Sequence, residues 1–337
     1  MNVVIGATGF LGSHLLCHLV QSGDKIRALY HNEQSLAKTE PFPAYYNLPH
    51  QTFAEKIEWY KVDILDIESI TSALQGADIV YNCSGYVSFN KTDKDKMIAV
   101  NVKGTANIVN ACLENNCKKL IHVSSIAALG ETNTSDPITE ETPWLRSATD
   151  SWYSITKFYA ETEVWRGIAE GLSSIIVNPS VILGPGNWNE GSPKLFQTVD
   201  NGLRYYTKGI VGYVDVRDVC SAMILLAQSS IENEKFILSG SNQSYEALFQ
   251  TIAKAIGKPL PNRNAGLYIL ALAWRLDKLR SLLFGKEQII TQNTARTALK
   301  KNWYTSQKLQ TTISFQYRSF QETIQFAANC FLSREKH

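Results

Sequence analysis

Gly6-Ala7-Thr8-Gly9-Phe10-Leu11-Gly12 follows the apolar run Val3-Val4-Ile5 and precedes an amphipathic stretch from Ser13 to Gln21. That order reads as strand, glycine turn, helix. Glycines let the backbone turn tightly and approach a ligand, while the free amides and positive end of the helix favour phosphate. Such a turn holds the pyrophosphate of a dinucleotide. The spacing here is G-x-x-G-x-x-G rather than G-x-G-x-x-G. Any glycine-rich strand-to-helix turn can imitate it, so the reading leans on the rest of the chain.

Outward from the turn, apolar runs and helical patterns alternate. Strands are predicted at residues 2–5, 25–30, 57–62, 78–82, 119–124 and 174–178, and helices at 10–22, 67–75, 96–115 and 151–170. This alternation predicts an α/β fold with a doubly wound parallel sheet. Residues 39–50 contain three prolines and are expected to form an irregular loop near the adenosine end of a cofactor. Further on, Gly212 to Val216 and Phe236 to Leu238 look strand-like, with a helix near 218–228. A dinucleotide-binding domain of residues 1–179 and 211–239 is expected, with a smaller, mostly C-terminal substrate lobe of 180–210 and 240–337. Ligands in such sheets lie beyond the carboxyl ends of the strands, so Ser124, Ser125, Asn178 and Pro179 should share one crevice.

Bulk properties narrow the function classes. The 337 residues suffice for a large core and two lobes. A net charge of +2 without a basic block argues against nucleic acid as a partner. Six scattered cysteines, several in apolar segments, are expected to be free thiols in a reducing cytosol. Cys112 and Cys117, five apart on a predicted helix, suit neither zinc nor a redox C-x-x-C. The first strand begins after Met1, leaving no room for a targeting peptide, and a cytoplasmic location is expected. No segment reaches the ~18–20 apolar residues of a membrane span. Residues 267–284 can form an amphipathic helix with a basic face, which suits packing on its own domain or peripheral contact with a membrane surface. His14 and His18, four apart on the first helix, lack a carboxylate partner for a metal.

Tyr153 and Lys157 are also four apart, so on a helix they share a face. A free tyrosine titrates near ~10, too high for proton transfer at neutral pH. A nearby ammonium stabilises the phenolate and can also hold a nicotinamide ribose. Ser125, at the end of the fifth strand, can donate a hydrogen bond to a substrate oxygen. Together these residues describe hydride chemistry, with Tyr153 moving the proton and Ser125 positioning a carbonyl or alcohol of a small-molecule substrate. Singly, each is common: an amphipathic helix explains Tyr-x-x-x-Lys, and a serine pair at a strand end can merely cap a turn.

The ordered set of Gly6 to Gly12, Val62-Asp63-Ile64-Leu65-Asp66, Tyr81 to Gly85, Asn101 to Thr105, His122 to Ser125, Tyr153 to Lys157, Asn178 to Gly186 and Tyr213 to Val219 resembles the extended short-chain dehydrogenase/reductase superfamily. That superfamily is also called the NAD-dependent epimerase/dehydratase family. The branch it is most similar to contains dihydroflavonol reductase and 3β-hydroxysteroid dehydrogenase-like enzymes. The resemblance covers about the first 220 residues. It implies a Rossmann lobe, a bound NAD(P), and Ser125, Tyr153 and Lys157 as catalytic triad. It also implies Gly6, Thr8, Gly9, Phe10, Leu11 and Gly12 at the cofactor, Asp63 and Ile64 at its adenine, Cys83, Ser84 and Gly85 along it, and Pro179 and Val181 near the nicotinamide. Asn101 is carried over as a structural or proton-relay residue, and a homodimer through helices 96–115 and 151–170 is implied. Ile5 departs from the threonine usual before the first glycine.

The second strand ends without an acid at Ala28-Leu29-Tyr30-His31-Asn32. An acid there favours NAD, and a basic residue favours the 2′-phosphate of NADP. His31, with Lys38 from the following loop, tips the expectation to NADP over NAD, although both also suit a solvated loop. Ile126-Ala127-Ala128 lacks the acidic pair of sugar dehydratases. Asn178-Pro179 resembles the Asn-Pro of some nucleotide-sugar epimerases, whose diphosphate grip Lys194, Arg204 and Lys208 can supply or, equally, merely be solvated. Aromatic and apolar residues of the second lobe (Trp188, Leu195, Phe196, Tyr205, Tyr206, Ile210, Tyr268, Leu270 and Trp274) suit a core, with some left for an apolar substrate cleft. The reading is therefore an NAD(P)-dependent oxidoreductase interconverting a secondary alcohol and a ketone. A nucleotide-sugar epimerase with the same triad is the alternative. A non-catalytic NAD(P)-binding sensor ranks last, because both Tyr153 and Lys157 are present.

Overall fold

In the computed structural model of the chain, β1 (Asn2–Ile5) leads through the glycine turn into α1 (Phe10–Gln21) and back to β2 (Ile26–Tyr30). The described residues are 1–132, 136–147, 150–267, 269–271, 274, 275, 277 and 297–334. The expected amphipathic helix at 267–284, including Tyr268, lies mostly outside them. The next elements are α2 (Phe42–Tyr45), α3 (His50–Lys56), β3 (Ile57–Lys61), α4 (Ile67–Ala73) and β4 (Ile79–Asn82). They are followed by α5 (Lys94–Met97), α6 (Gly104–Glu114), β5 (Lys119–Val123), α7 (Trp152–Ala169) and β6 (Ser174–Pro179). After these come β7 (Val181–Leu183), α8 (Lys194–Asp200), β8 (Tyr205–Tyr206) and β9 (Ile210–Asp215). The last labelled elements are α9 (Val216–Gln228), β10 (Glu234–Leu238), β11 (Ser241–Ser244), α10 (Tyr245–Ala255) and β12 (Arg263–Asn264). The helices Gln307–Ile313 and Phe320–Ser333 close the chain.

Seven strands form one parallel sheet in the order β10-β6-β5-β4-β1-β2-β3. The order reverses between β1 and β4, where a crevice opens at the carboxyl edge. Successive β1 residues point to opposite faces. Val4 joins Leu15 and Leu16 of α1 and Val219 and Met223 of α9 on one face, while Val3 and Ile5 meet Ile70, Ile108, Val109 and Val164 on the other. Burial on both faces explains why these strands read as unbroken apolar runs. A smaller sheet, β11-β9-β7, covers a second core containing Phe196, Tyr213, Leu248 and Phe331. Trp188 packs edge-on against both Phe196 and Phe331, so these aromatics are core rather than cleft.

Two local expectations need correction. Residues 39–50 are not an irregular loop: a 3₁₀ turn runs from Glu33 to Thr39, and α2 and α3 follow. Proline is tolerated in the first turn of a helix, where Pro43 stands, and burial of Phe42 and Phe53 against α1 supplies the driving force. The helix at 96–115 is not uniform, because Ile98–Lys103 winds as a π-helix between α5 and α6. Cys117 lies beyond α6, its amide donating to Cys112 O at 3.0 Å. All six cysteines are free thiols.

Candidate functional site

The glycine turn is built for close approach. Gly6 has φ +73°, and a Cβ there would lie 2.8 Å from Ser84 N. A Cβ on Gly12 would lie 2.9 Å from Ala7 Cα. Helix α1 therefore sits against the turn, and the turn against the Cys83-Ser84 backbone, which is joined to β1 by Cys83 N–H donating to Ile5 O at 3.0 Å. Gly9 stands at the N-cap of α1, and among the described residues no side chain caps that end and no acid lies in its first turn. The leading amides of Phe10, Leu11 and Gly12 thus keep their donors for an anion. Gly9 is exposed, Thr8 and Phe10 are half-buried, and Leu11 is buried. The free amides suit a dinucleotide pyrophosphate, and a side chain at Gly6 or Gly12 would force the turn off the Cys83-Ser84 backbone or α1 off the turn.

At the outer edge, His31 directly follows β2 and Asp63 follows β3; both are exposed, and the paired strands set them side by side. The Asp63 carboxylate accepts the Leu65 amide at 2.9 Å. Ile64 packs against Gly104, where a Cβ would come within 2.7 Å of Ile64 Cδ1. Lys38 pairs with exposed Glu190 at 3.7 Å, so the structure turns it toward the loop after β7.

Tyr153, Lys157, Ser125, Gly85 and Asn101 come together at the carboxyl edge of β4 and β5. Ser151 caps α7 by accepting the Ser154 amide at 3.0 Å, which places Tyr153 in the first turn. The Tyr153 phenol lies beside the Ser125 side chain. Ser125 Oγ also accepts the Ala127 amide at 3.1 Å, so the serine both caps a turn and meets the phenol. Lys157 is buried and donates to Val123 O at 2.9 Å. Its Nζ lies beside Gly85, 3.2 Å from where a Cβ would be.

The electrostatics differ from the sequence-based picture. Burial pushes the Tyr153 phenol up, and the neighbouring Ser125 side chain pulls the other way. The lysine is held by a carbonyl rather than by the phenol. Burial lowers Lys157 to about 8, opposed by the charge of Glu161.

Asn101 sits mid-way along the π-helix and uses its whole amide. Its Oδ1 accepts the Tyr86 amide at 2.7 Å, and its Nδ2 donates to Tyr86 O and Thr156 Oγ1, both at 3.0 Å. The side chain thereby ties the loop after β4 to the helix bearing Tyr153 and Lys157. π-Helical segments often mark functional positions. Nothing in the residue pattern signals this winding, because periodicity over so few residues does not separate a π from an α turn.

Sequence reasoning missed Glu161. One turn beyond Lys157 and buried, its Oε1 accepts from Ser124 Oγ at 2.6 Å and from Asn178 Nδ2 at 2.5 Å, and its Oε2 is 3.7 Å from Lys235 Nζ. Asn178 Nδ2 also donates to Ser125 O at 2.9 Å. Glu161 therefore anchors the serine strand end and the Asn178-Pro179 strand end to one helix. The i, i+4 spacing from Lys157 was the available signal. Pro179 ends β6 beside this network, and Val181 is two residues further, in β7.

Residues that invited other readings are otherwise engaged. His14 Nε2 donates to Pro185 O at 2.8 Å and Nδ1 accepts from Tyr46 Oη at 2.6 Å, with burial lowering the imidazole to about 3. Among the described residues no cluster suited to a metal ion occurs. Asp215 caps α9 and pairs with Arg217 at 2.6 Å, holding the strand-to-helix corner. Lys194, Arg204 and Lys208 are exposed. Among the described residues no helix is long and apolar enough to cross a membrane.

A family model described as the NAD dependent epimerase/dehydratase family matches residues 2–239. The chain belongs to that family. It is similar to a putative dihydroflavonol 4-reductase of Synechocystis, 25% identical over 340 residues and covering 97% of this chain and 93% of the relative. It is also similar to cinnamoyl-CoA reductase 1 of Petunia hybrida, 28% identical over 249 residues and covering 71% and 72%. The crystal structure of gox2253 matches with a TM-score of 0.80 at 26% identity, over 99% of this chain and 98% of the other.

Proposed function

We propose that this family member is an NAD(P)-dependent oxidoreductase that interconverts a secondary alcohol and a ketone. The observation that carries the reading is Tyr153 beside Ser125, with buried Lys157 one helical turn away, its Nζ against Gly85, and the uncapped α1 amides at the same sheet edge. Gly6, Gly9 and Gly12 let the turn close tightly on its neighbouring backbone, and the amides of Phe10, Leu11 and Gly12 donate to the pyrophosphate. Asp63 and Ile64 flank the adenine, His31 favours a 2′-phosphate and hence NADP over NAD, and Cys83 to Gly85 line the path inward. A bound nicotinamide supplies or takes up the hydride. Ser125 and Tyr153 hold the substrate oxygen, and Tyr153 gives or takes its proton at Oη. Lys157, charged below about pH 8, stabilises the phenolate and holds the ribose. Asn101 and Glu161 keep α7, the loop after β4 and the Ser125 strand end in register. The reductase relatives support this reading over the epimerase alternative.

The test is product analysis with NADPH. An oxidoreductase consumes one NADPH per alcohol formed from a ketone panel. Inversion of UDP-glucose without net cofactor loss would assign the epimerase reaction instead.

A further inference from the structure

Glu161 lies in the middle of α7 with its side chain only 4% exposed. An ionised carboxylate removed from water needs a counter-charge, or it takes up a proton instead. Its hydrogen bonds do not supply one. Ser124 Oγ and Asn178 Nδ2 both donate to Oε1, and a neutral carboxyl accepts such bonds through its carbonyl oxygen. The charge is decided at Oε2, which meets Lys235 Nζ at 3.7 Å. Lys235 belongs to the edge strand β10. Phe236 joins the core under α9, so Lys235 points the other way, toward α7. Burial pushes Glu161 up; Lys235 opposes it first, then Ser124, Asn178 and Lys157. Glu140, also buried at β10, accepts the Ile237 amide at 2.8 Å. Lys157 needs a counter-charge too, because the Val123 carbonyl it bonds is neutral. Around it, burial pushes Cys83 up to about 12 and lowers His122 to about 3, so both are uncharged near neutral pH. Tyr153 is likewise pushed up, and the π-helix presents the uncharged Asn101. From α5, Lys94 and Lys96 stand over the rings of Trp152 and Tyr86. Among the described residues, Glu161 is the charge that favours the Lys157 ammonium.

We propose that Lys235 is a positioning residue for this site, keeping Glu161 ionised and through it holding Lys157 charged. Three charges of alternating sign then run from β10 to the crevice. The inference rests on the oxidoreductase reading for what Lys157 does, but the chain of charges needs no cofactor. Its effect has a sign that direct repulsion lacks. Removing a nearby positive charge by itself makes Lys157 easier to protonate. Acting through Glu161, the same loss lets the carboxyl take a proton. Lys157 is then left without a counter-charge and sheds its own proton at lower pH.

The experiment compares wild type, Lys235→Met, Lys235→Arg, Glu161→Gln and the double variant carrying Lys235→Met with Glu161→Gln. One readout is the alkaline limb of kcat/KM for ketone reduction by NADPH. The other is the pH at which the urea midpoint begins to rise, about 8 in wild type, with Lys157→Met flattening that rise. In both, Lys235→Met should move the value down by about one pH unit, the size of a close opposite charge. Lys235→Arg should keep the wild-type value, and Glu161→Gln should fall as Lys235→Met does. The double variant should go no lower than Glu161→Gln alone. An unmoved or higher value in Lys235→Met, or additive shifts in the double variant, would overturn the proposal. Lys235→Gln takes the place of Lys235→Met if thermal melting shows the latter unfolded. If wild type reduces no ketone, the oxidoreductase reading fails by itself, and the urea midpoints alone decide the role of Lys235.

Discussion

Gly12→Ala is the smallest change that attacks the glycine turn. The new Cβ would sit 2.9 Å from Ala7 Cα and nearer still to the Gly6 carbonyl oxygen. Carbon atoms in ordinary contact are ~3.5–4.0 Å apart. Both neighbours are backbone, so no side-chain rotation relieves the clash, and α1 must shift by on the order of 1 Å. Overpacking of this kind costs about 1–3 kcal/mol. The better helix propensity of alanine returns at most about 1 kcal/mol. The larger effect falls on the cofactor, because the moving amides are those offered to the phosphates. A hydrogen bond to a charged group is worth about 1.5–3 kcal/mol, so losing one weakens binding roughly tenfold to a hundredfold. NADPH fluorescence titration beside a thermal melt measures both effects. Gly23→Ala serves as control: φ is +88° but nothing lies within 4 Å, so it should lower melting and spare affinity. Full NADPH affinity in Gly12→Ala would refute the assigned role of the turn.

Turnover should fall on an alkaline limb near pH 8, where Lys157 loses the charge that its burial already disfavours. Glu161→Gln removes a charge that raises the lysine, so the limb of kcat/KM against pH should move to lower pH; an unmoved limb would contradict the coupling. Because the folded value lies below the ordinary 10.5, the native state sheds this proton first, and Lys157 adds stability as pH rises from about 8 to about 10.5, readable as a rising urea midpoint in Glu161→Gln-controlled titrations. His31→Asp should weaken NADPH at least tenfold and spare or improve NADH, in paired titrations. Asn101→Ala should lower kcat and the melting temperature together, since the amide bonds to Tyr86 and Thr156 are lost.

The parallel sheet was legible because its central strands are buried on both faces and bounded by turn residues, as in Val3-Val4-Ile5 before Gly6. The segment of residues 39–50 was misread because its prolines suggested a loop, while the burial of Phe42 and Phe53 depends on α1, distant in sequence. The residues of the candidate site were visible as motifs, but their wiring was not. Spacing suggested that Lys157 would serve the phenol, and only the fold reveals Val123 O as its partner. Glu161 drew no notice because its partners, Ser124 just beyond β5, Asn178 in β6 and Lys235 in β10, are far apart in the chain.

The most direct measurement is single-turnover hydride transfer from NADPH to a ketone substrate in Tyr153→Phe. If the phenol supplies the proton, NADPH binds with wild-type affinity and transfer slows by about 10²–10⁴-fold. Transfer at the wild-type rate would contradict the account.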